Sequence, residues 1–156
     1  MLVGKTLRAA SGWLELGLAE DALLELKTLP HAVQHQEQGL VLRLFAEMER
    51  RDWNNASETA RLLCIKVSDE PMYFIQAAYC LHETGDTLAA FNWLLRGPKS
   101  LFEMALFHYN LACYLWTLGH GCRARSHLRQ AILLDAALLE TARQDRDLQG
   151  IGPLEV

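Results

Sequence analysis
Side chains able to ligate a metal or attack a carbonyl are scattered along this chain, and their spacings decide what they can do. His31 and His35 stand four apart, which puts two imidazoles on one helix face, but Pro30 precedes them and no third ligand is close in sequence. His120 and Cys122 flank a glycine, and His108 precedes Cys113; these read as a solvated turn and as buried thiols. His82-Glu83 opens like a zinc-protease helix, yet the second histidine such a site needs is missing. No Ser-His-Asp or Cys-His arrangement has supporting context, and no glycine-rich phosphate loop is present. The sequence therefore predicts no catalytic residue, no metal site and no cofactor, and the chain reads as a non-enzyme.

Charge narrows the partners. A formal net charge of −4, with both signs spread along 156 residues, lacks the basic footprint of nucleic-acid binding. One stretch is locally basic, with Arg123, Arg125 and Arg129 beside His120 and His127; it is either a docking patch for an acidic partner or a solvated outer face. Cys64, Cys80, Cys113 and Cys122 lie singly in apolar surroundings, the usage of a reducing compartment, so a cytoplasmic location is expected. Lys5 and Arg8 precede no long apolar run, and nowhere is there an uninterrupted stretch of about 18 apolar residues, so neither a secretion signal nor a membrane span is expected.

The elements that position these residues are helices in a repeating register. Leu7, Ala10, Trp13 and Leu14 recur at helical spacing, Gly17 supplies a turn, and Glu20 and Asp21 suit the start of a second helix that Pro30 ends. Leu40, Leu44 and Met48 give the next stripe, and Trp53 and Ala56 open its partner helix. Ser68-Asp69-Glu70-Pro71 is a strong stop-and-start signal, Gly97-Pro98 another break, and a last pair turns at Gly119-His120-Gly121. Gly85 and Gly119 are 34 residues apart, as are Ala90 and Ala124; stepping back gives Ala56 and Ala22, with Arg51 and Gly17 in the glycine column. Arg51 predicts a non-glycine closure for the second turn. Small residues also recur on the first helices at Ala10, Ala78 and Ala112, with Leu44 as the odd member, expected to push its hairpin apart or force it to repack. Beyond Asp135, Leu138, Leu139 and Ala142 line one side of a short helix that would cap the last apolar face.

This pattern resembles the tetratricopeptide repeat, a 34-residue helix-turn-helix with small residues at its helix crossing and a permissive turn. The resemblance implies an all-α, right-handed helical-hairpin solenoid, one domain over 1–156, with repeats at about 3–36, 37–70, 71–104 and 105–138 and a C-terminal capping helix at about 136–148. The family's first helices line a concave groove that holds a peptide or a partner's helix. Carried over by column, the groove places Leu7, Ser11 and Leu14, then Val41, Leu42, Phe45 and Met48, then Ile75, Gln76, Tyr79 and His82, then Tyr109, Asn110, Cys113 and Trp116. The cationic clamp by which one subset binds acidic tails is missing: its places hold Leu7, Ser11, Leu42, Met72 and Gln76. An apolar-aromatic groove instead suits an extended segment with hydrophobic anchors or an amphipathic helix. The alternative is that these aromatics pack against neighbouring hairpins or under the C-terminal helix. Trp93 falls between the inward columns, as a convex contact for self-association or a residue buried near Pro98.

The expected function is thus a protein-binding scaffold, with neither nucleic acid nor membrane as partner. Two other readings stay open. One is a bacterial secretion-type chaperone shielding an apolar segment of an exported protein; the other is a self-associating module, for instance a homodimer, with no peptide ligand.

Overall fold
The computed structural model describes residues 2–153, so positions 1 and 154–156 of the expected single domain lie outside the described residues. The described chain is all-helical and contains no strand. Its elements are α1 (Leu2–Glu15), α2 (Ala19–Lys27), α3 (His31–Gln34), α4 (Glu37–Glu49), α5 (Trp53–Lys66), α6 (Pro71–Glu83), α7 (Thr87–Leu94), α8 (Ala105–Thr117), α9 (Gly121–Leu134) and α10 (Leu138–Gln144). Two 3-10 segments, Lys99–Glu103 and Arg146–Leu148, follow α7 and α10. Among the described residues no helix is long and apolar enough to cross a membrane.

Helices pack in pairs, α1 with α2, α4 with α5, α6 with α7 and α8 with α9, and each pair lies on the next through α2–α4, α5–α6 and α7–α8. The second helix of each pair begins 34 residues after the last, at Ala19, Trp53, Thr87 and Gly121. Local chemistry explains the starts. Pro71 sits in the first turn of α6, where its missing N–H costs nothing, and the Glu70 carboxylate accepts from Met72 N at 3.1 Å. Asp86 caps α7 by accepting from Ala89 N at 2.9 Å.

All four turns close in the same way. Gly17, Arg51, Gly85 and Gly119 take positive φ (72°, 55°, 94° and 84°). At each, the turn residue donates to the carbonyl three back and its successor to the carbonyl five back, as in Arg51 N→Met48 O and Asp52 N→Glu47 O, both 2.9 Å. This is the Schellman closure, and it needs a left-handed residue. Arg51 therefore does not use a different closure; it adopts the glycine conformation with a side chain attached.

Close crossings follow from the small columns. Ala22, Ala56, Ala90 and Ala124 are fully buried, as are Ala10, Ala78 and Ala112, and Leu44 is accommodated in full burial between α4 and its neighbours. The short α3 is an addition the periodicity did not indicate. It presses on α4 so closely that a Cβ on Gly39 would lie 2.7 Å from Val33 O, which only glycine allows. A buried carboxylate lies in the second pair: Thr59 Oγ1 donates to Glu47 Oε2 and Arg43 Nε to Glu47 Oε1, each at 2.7 Å, which satisfies it. The main apolar core runs from α4 to the C-terminal segment, whereas α1 and α2 close on two smaller clusters, Leu7–Ala10–Leu26–Leu29 and Ala19–Ala22–Ala46.

Candidate functional site
The first helices α1, α4, α6 and α8 share one face, and the structure divides it in two. At the α8 end the chain lies on its own face. After α10, whose Ala142 is buried and whose Leu138 and Leu139 pack against the core, residues 145–151 turn back onto α8. Leu148 and Ile151 are buried there. Polar groups fix the register: Tyr109 OH donates to Asp145 Oδ2 at 2.7 Å, Trp116 Nε1 to Gln149 O at 3.0 Å and Arg125 Nε to Ile151 O at 2.8 Å. His82 Nε2 lies 3.1 Å from Asp147 Oδ2, with its Nδ1 2.9 Å from Thr87 Oγ1. Of the residues expected in a groove, Tyr109, Cys113, Trp116 and His82 thus contact the chain's own C-terminal segment. Ile75 is buried in the main core, and Gln76 and Asn110 are half-buried.

At the α4 end the face is open. A groove of about 720 Å³ is lined by Ser11, Leu14 and Glu15 of α1, Val41, Leu42, Phe45, Met48 and Glu49 of α4, Trp53 of α5 and Tyr79 of α6. The structure brings Leu42, Phe45, Met48 and Tyr79 together here. It adds Trp53, whose indole meets the Tyr79 ring edge-on with centroids 5.7 Å apart. Sequence reasoning assigned Trp53 to the opening of a second helix and so missed it; its place one residue past the Arg51-Asp52 turn is the signal that could have found it. A hollow of about 430 Å³ continues past Met48, Trp53 and Tyr79 to Arg51, Glu83, Asp145, Arg146 and Asp147, so the open groove abuts the occupied half.

The electrostatics disfavour further negative charge. Burial pushes the Tyr109 phenol well up, helped by its hydrogen bond to the Asp145 carboxylate, and burial with the nearby Glu83 raises Tyr79. Burial pushes Cys64 up to about 11 and Cys80 up to about 12, and it raises Cys113, which also faces Asp145 and Asp147. These three thiols are held protonated and are poor nucleophiles at neutral pH.

The other side chains singled out for chemistry make local contacts. The His31 and His35 rings lie tilted to one another with centroids 4.0 Å apart, and His35 Nδ1 lies 2.9 Å from His31 O. His82, Glu83 and Asp147 present ligand-type atoms within 4.8 Å of one another. The Arg146 guanidinium pairs there with Glu83 at 3.4 Å and with Asp147 at 3.5 Å, and His82 pairs with Asp147. His108 Nε2 donates to Phe102 O at 2.9 Å, so its Nδ1 accepts from His127 Nδ1–H at 3.0 Å in the neutral pair. Burial and that neighbour lower the His127 pKa. Trp93 is half-buried between the guanidinium groups of Arg61 and Arg96, 5.8 and 5.2 Å from its ring. Arg123 lies over Phe91 and Arg125 over Trp116, so two of the basic residues of α9 rest on aromatic rings. No family model matches the sequence, and no curated protein matches it significantly.

Proposed function
We propose that this chain is a tetratricopeptide-like helical-hairpin solenoid of the cytoplasm that binds a segment of another protein through the open half of its first-helix face, and that it is not an enzyme. The observation that carries the reading is the division of that face. One half holds a segment of polypeptide, by two buried apolar anchors and a few side-chain hydrogen bonds. The other half has the same helical framework and exposes Phe45 and Tyr79 to solvent beside Trp53. Exposed aromatics on a preformed apolar groove are the usual anchors of protein recognition. The 34-residue spacing, the common turn closure and the two columns of buried small residues support the repeat assignment.

The test is affinity capture with the wild type, with Phe45→Ala/Tyr79→Ala, and with Ile65→Ala, a residue of α5 outside the groove lining that is 71% exposed. Partners are expected to be lost by the double variant and kept by Ile65→Ala, with circular dichroism showing that both variants are folded. A folded double variant that keeps every partner rejects the reading.

A further inference from the structure
We infer that the segment taken by the open groove is a short basic amphipathic helix, its apolar side on Phe45, Trp53 and Tyr79 and its Lys or Arg side chains on Glu15 and Glu49; this rests on the docking role proposed above. The charge around the site is one-sided. The groove and the hollow that continues it are lined by five carboxylates, Glu15, Glu49, Glu83, Asp145 and Asp147, against two guanidinium groups, Arg51 and Arg146. Those of the occupied half are already engaged: Glu83 and Asp147 by Arg146 and His82, and Asp145 by Tyr109. Glu15 and Glu49 are exposed, and neither forms an ion pair among the described residues. They sit at one end of the groove, since Glu49 Oε1 is 3.5 Å from where a Cβ on Gly17 would stand, two residues past Glu15. Carboxylates at the edge of an apolar cleft focus an attractive field on an incoming cation.

The form of the occupant follows from backbone hydrogen bonding. The chain's own segment on α8 is partly extended, and there Trp116 and Arg125 donate to its carbonyls. The open groove offers neutral hydrogen-bonding side chains only from Ser11, Trp53 and Tyr79. An extended segment laid in it would find few side-chain partners for its amides and leave the rest to water, whereas a helix satisfies its own.

A fluorescein-labelled designed peptide of about 14 residues, with leucine on one face and lysine on the other, tests this by anisotropy beside versions bearing glutamine or glutamate for lysine. The lysine peptide is expected to bind about tenfold more tightly than the glutamine peptide, and the glutamate peptide most weakly. Glu15→Gln/Glu49→Gln should weaken the lysine peptide about three- to tenfold and leave the glutamine peptide unchanged. Glu58→Gln/Asp69→Asn, which removes the same charge elsewhere, should change neither. Equal affinities for the three peptides, or equal effects of the two double variants, overturn the basic partner while sensitivity to Phe45→Ala upholds docking. Binding indifferent to Phe45→Ala overturns both. A concentration-dependent dimer that Phe45→Ala dissociates shows a second copy as the occupant and overturns the inference.

Discussion
The column Phe45, Tyr79, Cys113 crosses the first-helix face at intervals of 34 residues, and exposure along it falls from 45% to 37% to 5%. The next column, Met48, His82, Trp116, passes from a groove wall to two side chains hydrogen-bonded to the C-terminal segment. The helices beneath both columns share one turn geometry, and each buries the residue at its crossing, Leu44, Ala78 and Ala112. What differs is the cover. The α8 end is closed by a segment whose tether makes its binding intramolecular, so a handful of contacts suffices. The α4 end has no such neighbour within the described residues and carries larger exposed aromatics. The same face is thus covered by the chain's own segment at one end and open at the other among the described residues.

The sharpest way to break this comparison is to delete an anchor from each half. Leu148 is 2% exposed within the main core, so Leu148→Ala should cost about 2–4 kcal/mol in urea unfolding. Phe45→Ala removes a ring already half in water and should cost less than about 1.5 kcal/mol while removing partner binding. Equal losses of stability would show that the two halves do not differ in role. A smaller effect is expected from Asp145→Ala, which strips the acceptor from the buried Tyr109 hydroxyl and should cost about 1–3 kcal/mol. Amide exchange should then quicken in residues 145–151 and stay unchanged around Phe45; uniform quickening would mean that the segment supports the whole array.

Alkaline pH probes the burial of Tyr109 in another way. Tyr109 has its folded pKa raised by burial, so its contribution is fully present below the unfolded value of about 10 and is lost as pH rises above it. The buried thiols act in the same direction from about pH 9 upward, because Cys80 titrates only near 12 when folded. Stability should therefore fall on the alkaline side, and Tyr109→Phe should flatten that fall above pH about 10 at a cost near 1 kcal/mol at neutral pH. An unchanged alkaline slope would mean that Tyr109 is not closed off by the segment. On the acid side the lowered His127 works oppositely, its contribution being present above about pH 6.5 and lost as pH falls.

Some of this was legible beforehand and some was not, for a physical reason. Helical spacing, turn glycines and small crossing residues are properties of one segment and its neighbours, so Ala22, Ala90, Gly85 and Gly119 could be read directly. The docking of residues 145–151 leaves no period, because it depends on Leu148 and Ile151 as lone anchors and on Asp145 meeting Tyr109 across 36 positions. A capping helix was expected from Leu138, Leu139 and Ala142; its continuation onto α8 is what claims Tyr109, Cys113 and Trp116. Trp53 was likewise hidden, since its partner in the groove, Tyr79, belongs to the next pair.

The smallest expected effect lies in the open half's own turn. Arg51 closes the α4–α5 turn at φ 55°, where its Cβ is crowded, while the other three turns use glycine. That strain is worth about 1–2 kcal/mol, and glycine recovers it less about 0.5–1 kcal/mol for the added freedom of the unfolded chain, so Arg51→Gly should stabilise by a few tenths to 1 kcal/mol. Arg51 is also one of the two guanidinium groups lining the hollow beside the groove, so the same variant should tighten the lysine peptide slightly through the loss of a like charge. A variant that is stabilised but leaves peptide affinity unchanged would confine Arg51 to the turn. One that is destabilised would mean that its side chain holds the α4 end together, and the two halves would then differ less than their covers suggest.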